Sequence, residues 1–177
     1  LEFRRVLFRS LGETQFKWLE KTLASSKAKY KFVFIHHLVG GLDESARGGS
    51  EAAVLYEWGG KNKEGQDEFK ARRPGWSMPI HSLFVKHKVS VVFHGHDHFF
   101  AKQDLDNVVY LMVPQPGHPG SERLKNVDEY GYVRGDFLSP AGHIRVSVSA
   151  EMAKIDYVRS VLPQSETSER KNKAVAY

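Results

Sequence analysis

The chain has 177 residues, 41% of them hydrophobic and 27% charged, which is ordinary for a soluble globular protein with one packed core. It contains no cysteine, which excludes a disulfide framework and a thiolate site, so any metal must be held by His, Asp, Glu, Asn or water. The net charge is +5, but the basic residues are scattered among acids rather than gathered with aromatics, and no apolar run nears the ~18 residues that span a membrane, so neither a nucleic-acid surface nor a membrane segment is expected.

Leu1–Ser10 matches no helix or strand period and no signal peptide. It resembles the translated end of a widely used sequencing-library adapter, and is expected to be a non-native segment. Leu11–Ser26 reads as a helix, with Phe16, Leu19 and Leu23 at helical spacing. Lys31–Ile35 reads as a continuous apolar strand of the kind buried on both faces, ending in His36-His37. Gly40–Trp76 is a long insertion rich in Gly and charge, with one or two helical turns expected at Ala52–Trp58. Met78–Lys88 reads as a second helix, with Pro79 in its first turn. Val89–Phe93 is an apolar strand, Phe99–Asp104 and Val108–Val113 form a hairpin, and Ile144–Ser149 and Ala153–Val158 form another. Residues 161–177 are polar and unpatterned, and are expected to be a disordered tail.

The chemistry concentrates after the second apolar strand, in His94-Gly95-His96-Asp97-His98. In an extended chain, residues two apart project to the same side, so His96 and His98 would face one cavity and Asp97 would point away, to the surface or to a backbone group. Neutral imidazole is the commonest metal ligand among side chains. The order helix, strand, loop, helix, strand and antiparallel strands implies an α/β layered domain, in which ligands bind beyond the carboxyl ends of strands. His36-His37 and the His94–His98 cluster both fall there, which would build one site from two neighbouring parallel strands.

At these residues the chain resembles the calcineurin-like metallophosphoesterases, a family that includes purple acid phosphatases and cyclic-nucleotide phosphodiesterases. Phe32-Val33-Phe34-Ile35-His36-His37 resembles the family's strand ending in a metal-ligand His, Gly95-His96-Asp97-His98 its Gly-His-x-His motif, and the helix beginning Leu11-Gly-Glu-Thr-Gln15 a familiar companion. The resemblance covers most of residues 11–160 and implies a layered β-sandwich flanked by helices. It implies two metal ions, Zn, Fe or Mn, with His36 and His96 on one and His98 on the other. A metal-bound hydroxide would then attack a phosphate mono- or diester in line. The family's upstream motifs, Asp-x-His, Gly-Asp-x-x-Asp and Gly-Asn-His, do not occur in this chain. Residues 11–160 are therefore expected to be the C-terminal part of a metallophosphoesterase domain whose N-terminal half is missing, holding at most one metal weakly and inactive alone. Relatives ending in similar hairpins are often exported, which points to the periplasm or exterior.

Other residues carry two readings each. His37 contacts substrate or packs in the core, and His118, in a Pro- and Gly-bounded loop, touches phosphate or is a plain loop residue. Arg47 and Arg73, in the insertion with Trp58 and Trp76, clamp phosphate or pack over the rim. His94 supports the ligands rather than binding metal, and His81, His87 and His143 are expected on surfaces. The rivals are another His-rich metallohydrolase and a non-catalytic metal-binding fragment or pseudoenzyme. A metallo-β-lactamase-type site needs His-x-His-x-Asp-His, one residue longer than the run here. The pattern selects no substrate, metal or oligomeric state.

Overall fold

A computed structural model describes residues 11–36, 38, 47–116, 124, 126–168 and 174–176. The first helix, α1 (Gly12–Ser25), buries Phe16 and Leu23 and leaves Trp18 exposed. That is the stripe its 3.6-residue period dictates. Strand β1 (Phe32–Phe34) follows, then a 3-10 turn at Ala52–Val54 and the short helices α2 (Tyr56–Gly59), α3 (Phe69–Arg72) and α4 (Ile80–Lys86). The strands β2 (Val91–His94), β3 (Phe100–Leu105), β4 (Val108–Met112) and β5 (Asp136–Leu138) complete one sheet, in the order β1-β2-β4-β3-β5. A second sheet holds β6 (Gly142–Val148), β7 (Ala153–Arg159) and β8 (Ala174–Ala176) in that order.

The larger sheet is mixed. β1 pairs parallel with β2, and β2 with β4, while β3 runs antiparallel to β4 and β5. The β3–β4 hairpin closes on Asp106-Asn107, both at positive φ (50° and 63°), the type I′ geometry that Asp and Asn tolerate and that matches strand twist. Alternation along each strand then sorts the core into two layers. Val92, Val108 and Tyr110 face the helices, packing with Phe16, Leu23, Trp58, Ile80, Leu83 and Phe84. Val91, Phe93, Phe100 and Leu111 face the second sheet and meet Ile155 and Tyr157. Phe100 stacks on Tyr157 with centroids 4.6 Å apart and planes 1° apart. The architecture is mixed α/β, with a helical layer, a five-stranded sheet and a three-stranded sheet.

Several sequence expectations need correction. β1 is not buried on both faces: it ends the sheet among the described residues, and Phe34 is 73% exposed although its ring stacks on Phe93. The helical turns expected at Ala52–Trp58 are present, as the 3-10 turn and α2, and Trp58 and Trp76 are buried in the helical layer, with Phe16 stacked on Trp76 at 4.1 Å. Pro79 caps α4 from outside rather than starting its first turn. His81 is buried, with Nδ1 2.8 Å from the Tyr110 hydroxyl and Nε2 3.0 Å from Asp106. The polar tail contains a 3-10 turn at Pro163–Ser165 and the strand β8 paired with β7. β5 and β8 escape a period-based reading because three residues contain too little alternation to register.

The contrast between the sandwich interior and the edge gives a stability test. Phe100→Ala removes a fully buried ring and should cost about 3–5 kcal/mol in urea unfolding. Phe34→Ser removes an exposed ring with one stacking partner and should cost less than about 1.5 kcal/mol. Equal losses would remove the assignment of Phe100 and Phe34 to interior and edge.

Candidate metal centre at the β1–β2 rim

The parallel pairing of β1 with β2 continues past both strands. Ile35 N–H donates to Phe93 O at 3.0 Å, and Gly95 N–H donates to His36 O at 2.7 Å. A Cβ at Gly95 would stand 3.4 Å from the His36 carbonyl, an ordinary contact distance, so the two chains run close together here without excluding a side chain. These bonds bring His36 and the His94–His98 cluster, 60 residues apart in sequence, to one rim.

Beyond Gly95 the chain is not extended. His96 and His98 both adopt positive φ, 87° and 70°. The expectation that strand alternation sends His96 and His98 into one cavity, with Asp97 outward, therefore fails in its premise. Three different outcomes follow for the cluster. His94 ends β2 and is buried, His96 turns to His36, and His98 is exposed.

His36 Nε2 and His96 Nδ1 lie 3.4 Å apart, with ring centroids at 5.4 Å and planes at 81°. Two nitrogens bound to one tetrahedral Zn at 2.0–2.1 Å stand about 3.3–3.4 Å apart, so the pair has the spacing of two ligands of a single metal. Burial lowers the His96 pKa, with Asp97 opposing and Arg47, His36 and His98 adding to the fall. The neutral imidazole so favoured is the form that binds metal. Among the described residues, no group of three or more His, Asp or Glu side chains is placed to hold a metal. An open cleft of about 340 Å³ lies beside His36, against Phe34, Phe93, Gly95 and Val113.

Asp97 is not at the surface, one of its two expected places, but it does bond a backbone group, the other, together with two side chains that were not expected. Its carboxylate is buried and accepts from Arg47 Nη1 at 2.9 Å, Tyr132 Oη at 2.8 Å and Gly48 N–H at 3.2 Å. Burial and the adjacent Asp97 charge push the Tyr132 phenol well above its ordinary value, so it remains a donor. Arg47 also lies over the Tyr130 ring at 4.0 Å. This arrangement ties the insertion to the histidine turn, and sequence spacing gives no hint of it, since Tyr130 and Tyr132 fall in a segment without period. Arg73 pairs with Glu57 and lies over Trp76 within the insertion. His37 and His118 lie outside the described residues.

No protein-family model matches the chain, and no curated protein matches it.

His94 has neither ring nitrogen hydrogen-bonded to a described residue and is 2% exposed. Burial holds its pKa at about 3 against an ordinary 6.5. The unfolded chain gains this proton as pH falls through 6.5, whereas the folded chain resists until about 3. Its contribution to stability is therefore complete above 6.5 and lost progressively towards 3. Urea unfolding should show a loss of about 2 kcal/mol from this group between about pH 7 and about pH 5. His94→Leu should remove that loss without lowering stability at neutral pH; an unchanged acid slope would show that His94 is not the responsible group.

Proposed function

We propose that the His36–His96 rim is part of a two-metal phosphoesterase centre of the calcineurin-like kind. The observation that carries this reading is the 3.4 Å approach of two ring nitrogens delivered by adjacent parallel strands. The mixed sheet with helices on one face and a second sheet on the other is compatible with the layered sandwich that the resemblance implies. In this reading His36 and His96 hold one metal and His98 faces the second. Bound metal supplies Lewis acidity to water and to the phosphoryl oxygens of a phosphate ester. The chain's own residues set the geometry: the Gly95–His36 backbone bond fixes the rim, and the lowered pKa of His96 favours its neutral ring.

The reading also requires carboxylate and Asn ligands in the family's motifs, and none of those motifs occurs in the 177 residues. The chain by itself is accordingly read as a weak binder of one metal without turnover. No helix among the described residues is long and apolar enough to cross a membrane.

Zn(II) titration with a competing chromophoric chelator tests the assignment. The chain should bind at most one equivalent, His36→Ala and His96→Ala should each abolish binding, and His143→Ala, on the exposed face of β6, should leave it unchanged. Equal loss in all three variants would sink the site. Hydrolysis of 4-nitrophenyl phosphate by the zinc- or manganese-loaded chain, abolished by His96→Ala, would overturn the claim that this chain lacks turnover.

A further inference from the structure

We propose that Asp97 is a positioning residue for the His36–His96 pair: its buried carboxylate locks the left-handed turn that carries the His96 ring to His36. The inference rests on the metal reading for its purpose, but its geometry stands on the chain alone.

Both neighbours of Asp97 occupy a backbone region that residues with a Cβ enter reluctantly, His96 at φ 87° and His98 at φ 70°. The glycine of the cluster does not take up this conformation; the two histidines do. A turn of this kind persists only where the surroundings over-determine it. The surroundings converge on Asp97, whose side chain is 1% exposed. Its three donors come from two separate segments, Arg47 and Gly48 on one side and Tyr132 on the other.

Those segments are themselves tied together. Glu51 accepts from the Val133 and Arg134 backbone N–H groups at 2.9 and 3.1 Å, and from Gln103 Nε2 at 2.8 Å. Ser50 N–H donates to Gln103 Oε1 at 2.8 Å, which anchors the whole assembly to β3. The segments that carry the donors are therefore tied to each other and to β3 through contacts that do not involve Asp97, and the carboxylate meets its three donors with residues 96–98 curled as observed. Losing the charge removes the reason for the curl. An extended chain would continue the alternation of β2 and turn His96 away from His36.

Two readouts separate positioning from mere anchoring of the insertion. The first is the nuclear Overhauser contact between the His36 and His96 ring protons in the metal-free chain; the second is Co(II) affinity with its visible spectrum. Asp97→Asn should lose the ring contact and weaken Co(II) binding about 10–100-fold. Arg47→Met should follow it in part, with Arg47→Lys closer to the parent. Asp156→Asn is the control: it breaks another buried carboxylate, paired with Arg145 and Lys154 in the second sheet, and should lower Tm while leaving ring contact and affinity unchanged. A folded Asp97→Asn chain with an intact ring contact overturns the proposal. Should Asp97→Asn fail to fold, Tyr132→Phe deletes a single donor, and an unchanged ring contact together with unchanged affinity there overturns it equally. A parent chain that shows the ring contact but binds no Co(II) sinks the metal reading, while loss of that contact in Asp97→Asn still upholds Asp97.

Discussion

The parallel register of β1 on β2 is the constraint from which the rest follows. Phe32 lies opposite Val91, Val33 opposite Val92 and Phe34 opposite Phe93. Because side chains alternate, this single register decides which residues face the helices and which face the second sheet. It also decides that the chain leaves both strands at the same level, with His36 bonded to Gly95. A slip of one residue would exchange Val92 with Phe93 between the two layers and part His36 from His96. The hydrophobic sorting of the core and the meeting of the histidines are thus one fact seen from two sides.

The rim then departs from strand geometry where chemistry requires a different direction for each side chain. Strict alternation would have placed His94, His96 and His98 on one face. The two left-handed residues break that pattern, so one cluster supplies a buried ring, a ring aimed at His36 and an exposed ring. Backbone strain of this sort costs about 1–3 kcal/mol per residue and is found where surrounding interactions over-determine it. Here the opposing contribution is a buried carboxylate with three donors, a group that would be severely destabilising if left unpaired.

Much of this architecture is legible in the residues themselves, and the limits of legibility have physical causes. α1 and the β3–β4 hairpin follow from apolar spacing and from an Asp-Asn turn, signals that are local and strong. The placing of His36 and the His94–His98 cluster at one rim follows from two apolar runs each ending in histidine, once the runs are taken as neighbours, but the left-handed turn that brings His96 to His36 does not. The role of Asp97 is not legible, because it depends on Arg47, Gly48 and Tyr132, which no period connects to it. The burial of His81 is hidden for the same reason: its partners Tyr110 and Asp106 come from the β3–β4 hairpin. Periodicity reports which face of an element is covered. It does not report which polar groups tertiary packing will bring together beneath that cover.

The insertion between the two histidine strands joins these themes. Trp58 donates its indole N–H to Tyr110 at 2.8 Å in the middle of the helical layer, and Trp76 stacks on α1. Arg47 and Glu51, from the start of the same described stretch, hold the histidine turn and the 126–134 segment. A loop that only roofed the rim would be free to vary without consequence for the core. This one is fastened by aromatic packing below and by charge pairing above, where Arg47 meets the turn that carries His96. The rim is therefore best regarded as an outgrowth of the helical layer, with its geometry set by how well that layer packs.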